Sequence, residues 1–401
     1  MILLLIIAIL LFPVCKEADA GVVLRGVSMS GGIIGVSQFT KGAWGMYYVP
    51  GTAVPANILN NTGLVGVLLG FKWYEIEATK DVYDWTAVDA RIAEIKAAGK
   101  KITLSLVMSA ENTPTWLKDD PGVQTLSLLN LNENQDSYCT YIPGPVYWDA
   151  TFIAQKKELI AIMGARYAND PSIVAVIAQF INWHSDDWEL PHDVCSSNCD
   201  CGESSINQPQ QWLNANPLPY TTARMMSAAQ EILNAYATAF PSQALLLPIH
   251  VTRVNLDPPP DEPSDRWTYL AEQVVAWADA QGFGNRFFIA RHTLKSNTPL
   301  ASTLDSPTTN EQRIWKLVRD HYPRSGMQEG SAITLCDEGN CSTCRITNYA
   351  TPSYGCGLSA LTNIIDIGLT YNPQYIQFWK GDSQNVGLYS TLLYATTEMN
   401  Q

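Results

Sequence analysis

A rhythm constrains this chain more than any single motif. Apolar, β-branched runs end in polar or aromatic residues and then give way to amphipathic helical segments. The runs are GVVLRGVSM (21–29), LVGVLLGF (64–71), KITLSLVMS (101–109), SIVAVIAQF (172–180), ALLLPIHV (244–251), RFFIARH (286–292), SGMQEGS (325–331) and QYIQFWKGD (374–382). Between them lie helical patterns over 87–101, 149–170, 221–240, 265–282 and 310–322, several closed by Gly or opened by Thr or Asp. Strands alternating with helices at this spacing predict a parallel sheet. Eight such units in 401 residues predict an α/β fold, a (β/α)8 TIM barrel. The rival is a doubly wound open sheet. That fold would want a glycine-rich phosphate turn after an early strand, and no G-x-G-x-x-G is present.

The N-terminus, MILLLIIAILLFPVCKEADAG, reads as an apolar run followed by the small-x-small sequence Ala18-Asp19-Ala20. We expect residues 1–20 to be a secretory signal peptide, although no Lys or Arg precedes Lys16. An uncleaved anchor is the alternative. Residues 21–401 are then expected to form one barrel domain with insertions near 190–215 and 336–357. Cysteine usage agrees with export. Nine cysteines become eight when Cys15 leaves with the signal: Cys139, Cys195, Cys199, Cys201, Cys336, Cys341, Cys344 and Cys356. Most fall in the insertions CSSNCDC and CDEGNCSTC, and disulfides within and between these are expected. Cys336-x4-Cys341-x2-Cys344 also matches an iron–sulfur spacing, and Cys195, Cys199 and Cys201 near His192 a zinc one. An oxidising compartment favours disulfides over both, so no metal and no cofactor is expected. Asn60 and Asn340 head N-x-S/T sequons, acceptors for glycan in a secreted chain. The formal charge of −13 repels phosphate backbones and argues against nucleic acid as a partner. No other stretch is long and apolar enough to span a membrane, so none is expected as a partner after signal cleavage.

In a barrel, chemistry sits at the C-terminal ends of the strands. Those ends carry Lys72, Trp73, Tyr74, Glu75 and Glu77; Glu111, Asn112 and Trp116; INWHSDDWELPH (181–192); His250 and Arg253; Arg291 and His292; Gln328 and Glu329; and Trp379, Lys380 and Asp382. Carboxylates and aromatics converge, with little sign of a Ser/His/Asp arrangement. Glycoside cleavage needs one carboxyl as proton donor and a second as nucleophile or base, with flat aromatic rings against the sugar. With 12 Trp and 18 Tyr, rings are available for both stacking and core.

The stretch GFKWYEIEATKDVYDWTAVDARIAEIKAAGKKITLSLVMSAENTPTWL (70–117) resembles the second-to-third strand region of TIM-barrel glycoside hydrolases of the β-galactosidase, cellulase and xylanase type. The resemblance rests on Trp73, Glu75, Tyr83-Asp84-Trp85, Asp89, Gly99-Lys100-Lys101 and Pro114-Thr115-Trp116. It implies an acid/base just after the fourth strand, where the family carries Asn-Glu. This chain instead has Asn182-Trp183-His184-Ser185-Asp186-Asp187-Trp188-Glu189. By position Asp187 is the first candidate acid/base, with Glu189 second and Asp186 third. The family's nucleophile ends the seventh strand, where Glu329 stands; Asp382 is the fallback. Trp73, Glu75, Trp116, Trp183, Trp188, His250, His292 and Trp379 would line a sugar cleft.

Plainer readings compete. Asp186 or Asp187 would serve equally as a helix cap, Glu329 as a loop carboxylate, and Glu75 and Glu77 as partners of Lys72 or Lys80. Trp85 reads as core packing. Two functions follow. One is a secreted glycoside hydrolase acting on oligo- or polysaccharide with two carboxylates. The other is a non-catalytic extracellular barrel, a carbohydrate binder or a self-associating assembly subunit, as the departure from Asn-Glu suggests.

Overall fold

The computed structural model describes residues 39–48, 52–131, 137–179, 190, 194–197, 199–250, 268–329 and 357–401. Eight parallel strands close into a barrel. In chain order they are β1 (Gly42–Tyr48), β2 (Leu64–Lys72), β3 (Lys101–Val107), β4 (Ile173–Ile177), β5 (Ala244–Pro248), β6 (Phe287–Leu294), β7 (Ser325–Glu329) and β8 (Tyr375–Phe378). β1 pairs with β2 on one side, Trp44 opposite Gly66, and with β8 on the other, Trp44 opposite Gln377. That pairing closes the ring and excludes the open doubly wound sheet.

Seven of the eight strands lie where the rhythm puts them. The first does not: its place is taken by GAWGMYY (42–48), and the expected 21–29 lies outside the described residues. The reason is the way the lumen is filled. Side chains alternate across each strand, and Trp44, Met46, Leu68, Ala175, Ile177, Ala244, Leu246, Phe288, Ala290 and Tyr375 meet inside the barrel with Phe39. Phe39 stacks on Trp44 at 5.1 Å and meets Tyr375 edge-on at 5.2 Å. Trp44 fits only because β2 carries glycine beside it: a Cβ on Gly66 would sit 2.2 Å from the indole. A strand of glycines and large aromatics lacks the β-branched signature yet suits a crowded lumen.

Helices cover the outside, and a second, larger apolar layer lies between them and the strands. Trp85 belongs to it, edge-on to Phe71 and Tyr167. Three helices start where a capping side chain takes up free backbone N–H groups. Asp149 Oδ1 accepts from Thr151 N and Phe152 N ahead of Ala150–Tyr167. Thr221 caps Thr222–Ala239. Thr309 and Gln312 form a capping box on Asn310–Asp320. The helix Tyr389–Met399 was not expected; its Thr396 Oγ1 accepts from Ala43 N and donates to Gly63 O, tying it to β1 and to the start of β2.

Two loops after strands carry small ribbons. After β3, Thr125–Leu129 pairs antiparallel with Tyr141–Pro145; after β4, Val194–Cys195 pairs with Ile206–Asn207. Cys139–Cys201 joins the two loops and Cys195–Cys199 closes the second on itself. The expected link between the two cysteine-rich insertions is not the one described: the first insertion is stapled to Cys139. Cys336, Cys341, Cys344 and Cys356 lie outside the described residues. Among the described residues, no helix is long and apolar enough to cross a membrane.

Candidate functional site

The C-terminal mouth of the barrel is built upward from the lumen. Beyond the apolar layer the inward side chains turn polar. Gln179 follows β4, His250 follows β5, His292 lies on β6, Gln328 on β7 and Gln377 on β8; only His250 is more than marginally exposed. Glu329 is the last residue of β7 and is fully buried. On the next strand Trp379 stands just past β8, 37% exposed, and its Nε1 donates to Glu329 O at 2.8 Å. Lys380 beside it lies over the ring of Tyr47, 5.1 Å from its centroid. Asp382 is also fully buried, in the single-turn helix Lys380–Ser383. Glu329 and Trp379 are therefore brought together.

The β2 end corrects the reading of the sequence. Trp73 does not offer a ring face to a ligand: it is wholly buried, its ring 6.0 Å from Phe152. Its Nε1 donates to Glu77 Oε2 at 2.9 Å. Glu77 is buried too and accepts from Asp81 N through Oε1 at 3.0 Å. Burial pushes the Glu77 carboxyl above its ordinary value, against the lowering effect of these two bonds. Glu75 is half-buried and caps its own helical turn, accepting from Lys72 N at 3.2 Å. Its carboxyl is likewise raised, chiefly by burial. Neither pairs with Lys80, which lies instead over the Trp116 ring at 5.7 Å. Trp116 is half-buried, with Nε1 fixed to Glu77 O at 3.0 Å.

The aromatic ring that this end exposes is that of Tyr74. Trp73–Ile76 forms one helical turn, so neighbouring side chains point about 100° apart. Trp73 turns into the core and Tyr74 turns out, 39% exposed, with its hydroxyl accepting from Lys72 Nζ at 3.3 Å. Nothing in W-Y-E-I says which aromatic faces out; that depends on where the turn begins.

On the other flank Arg291 is almost fully buried and its Nη2 donates to both oxygens of Glu311, at 3.1 and 2.9 Å. Glu311 also accepts from Trp315 Nε1 at 2.8 Å. Met327, opposite Arg291, belongs to the outer apolar layer, so Arg291 faces the helices and not the lumen. Glu111 accepts from Ser137 Oγ at 2.8 Å, and Asn112 Nδ2 donates to Ser109 Oγ at 2.6 Å. The candidates Trp183, Asp186, Asp187, Trp188 and Glu189, with Asn340, lie outside the described residues. Asn60 is exposed at the end of the helical turn Ala56–Leu59. Among the described residues, no group of three His, Cys, Asp or Glu side chains is placed to hold a metal ion.

No family model matches the chain, and no curated protein matches it in sequence. Its fold does have counterparts among solved glycosidases. The catalytic domain of a β-amylase from Paenibacillus polymyxa superposes with a TM-score of 0.51 at 10% identity, over 89% of this chain and 99% of that one. A cold-adapted β-galactosidase from Rahnella sp. R3 superposes with a TM-score of 0.50 at 10% identity, over 91% of this chain but 57% of the other, so the chain spans little more than half of that enzyme. At such identities the likeness is one of fold, and a fold hosts many activities.

Proposed function

We propose that the chain is a secreted glycoside hydrolase that cleaves its substrate with two carboxylates. The observation that carries the reading is Glu329: a buried carboxyl at the last residue of β7, on the face where barrel enzymes hold their chemistry. Glu329 is assigned as the nucleophile of a retaining reaction or the water-activating base of an inverting one. Asp187 is assigned as the acid, with Glu189 and then Asp186 behind it. A separation of about 5–5.5 Å between the two carboxyls gives retention, and about 6.5–9.5 Å gives inversion. Trp379, exposed beside Glu329, supplies a flat face for the sugar ring, joined by Trp116, Trp183 and Trp188, while Tyr74 takes the part Trp73 cannot. His250 and His292 bond sugar hydroxyls. The two disulfides suit an oxidising compartment, and the exposed Asn60 would carry glycan there.

The test is hydrolysis across aryl glycosides and polysaccharides by wild type, Asp187→Asn and Glu329→Gln. Loss of turnover in both variants, with circular dichroism unchanged, supports the mechanism. Full activity in Glu329→Gln ends it. The second reading, a barrel that binds carbohydrate or assembles without cleaving it, is favoured by Asn182-Trp183 standing where the resembling enzymes have Asn-Glu. It gains if sugars bind the wild type and none is cleaved.

A further inference from the structure

The polar layer at the mouth contains two amides, each with one buried atom that lacks a partner. Gln328 and Gln377 are register neighbours on β7 and β8. Two residues earlier, Gly326 and Tyr375 meet in the lumen: a Cβ on Gly326 would sit 2.0 Å from the Tyr375 ring. Side chains alternate along a strand, so both glutamines also face the lumen, directly above that ring. They are 4% and 2% exposed. Among the described residues, no group reaches Gln328 Oε1 or Gln377 Nε2 within hydrogen-bonding distance. One atom is an acceptor and the other a donor. Glu329 follows Gln328 directly.

A buried amide without a partner destabilises a protein, and such groups persist where a ligand or water completes them. The two atoms define what completes them together. A carboxylate or phosphate oxygen accepts from Nε2 but leaves Oε1 unmet. An ammonium donates to Oε1 but leaves Nε2 unmet. A hydroxyl does both. We propose that Gln328 and Gln377 form a paired reader of one neutral sugar hydroxyl at the mouth of the barrel, and so select an uncharged substrate that is unsubstituted at that position. The inference rests on the carbohydrate reading above, but not on turnover.

The test measures binding by calorimetry. The full chain, as wild type, Gln328→Met and Gln377→Met, is titrated with glucose, galactose, mannose and xylose and with their monodeoxy forms. Methionine keeps the length and removes both polar atoms. In the wild type, removing one particular hydroxyl should weaken binding about tenfold or more, because the pair is left unmet again. Each Met variant should bind the parent sugar about tenfold more weakly and no longer distinguish it from that deoxy form. Its melting temperature without sugar should equal or exceed that of the wild type. Folded variants that keep the wild-type preference overturn the proposal. So does a wild type that binds none of these sugars, or binds one without discriminating any hydroxyl. The two readings fail separately: glutamine-dependent binding without cleavage ends the hydrolase and leaves the pair, whereas cleavage with unchanged preference in the variants does the reverse.

Discussion

Trp379 Nε1 donates to the backbone carbonyl of Glu329 across 2.8 Å, so the exposed ring at the end of β8 is oriented by the residue that ends β7. The bond couples two parts of the proposed site that the sequence separates by 50 residues. Trp379→Phe keeps a flat ring and removes the donor. One neutral hydrogen bond lost is about 1 kcal/mol. We expect kcat/KM to fall about five- to tenfold in Trp379→Phe and further in Trp379→Ala. Equal losses in the two variants would mean that the bond, and not the ring, is what matters.

Glu77 anchors the β2 end. Glu77→Leu leaves the buried donor Trp73 Nε1, and the Asp81 N–H at the surface, without their acceptor. At about 1–3 kcal/mol for one orphaned buried group, with water free to take up the exposed one, urea unfolding should show a loss of about 1–3 kcal/mol. Glu77→Gln also places an amide N–H against one of these donors and should lose about 1–2 kcal/mol. A loss below about 0.5 kcal/mol in Glu77→Leu would refute this account. The pH dependence has a definite sign. The folded carboxyl titrates above its ordinary value, so the folded state holds the proton to higher pH than the unfolded chain. Glu77 therefore makes stability fall as pH rises from the unfolded value through the raised folded one, and Glu77→Leu should lack that slope.

Lys156 is buried in the helix Ala150–Tyr167 with its Nζ 5.6 Å from the Phe152 ring centroid. Burial brings its ammonium down from 10.5 to about 7. The unfolded chain then binds more protons between these two values, so Lys156 makes stability rise with pH from about 7 to about 10.5. Below that window the cost of burying the charge is fully present, on the order of a few kcal/mol. Lys156→Met should raise the melting temperature at pH 6 and narrow its advantage at pH 9. A melting temperature that falls at both values would show that the amine's contacts outweigh its burial.

The two described disulfides should differ in worth. Cys139–Cys201 spans 62 residues and Cys195–Cys199 spans 4. Loop-closure entropy gives about 4 kcal/mol for the first and about 2 kcal/mol for the second. Thermal melts of Cys139→Ser/Cys201→Ser and Cys195→Ser/Cys199→Ser should rank in that order. The first pair also joins the loops after β3 and β4, so its removal should affect sugar binding more. The reverse ranking in melting temperature would show that local strain or packing, and not closure, sets their value.

The fold was largely legible because a parallel barrel buries its strands on both faces, and near-continuous apolar runs survive as a linear signal. The same holds for helix starts at Asp149, Thr221 and Thr309, where cap and helix are neighbours in sequence. Glu329 was legible as the end of the seventh run. What the sequence determined by itself is therefore local: period, caps, and the order of strands and helices. Tertiary structure decided what depends on partners far along the chain. GAWGMYY became the first strand because its aromatics fit against glycines of β2 inside a closed ring. Trp73 went inward and Tyr74 outward because the barrel fixed where one helical turn begins. Cys201 paired with Cys139 rather than within its own insertion because two loops met at the mouth. Gln328 and Gln377 became a donor and acceptor side by side only when β7 and β8 came into register. A sequence carries periodicity along one dimension, whereas burial, pairing and register are set by closure of the barrel.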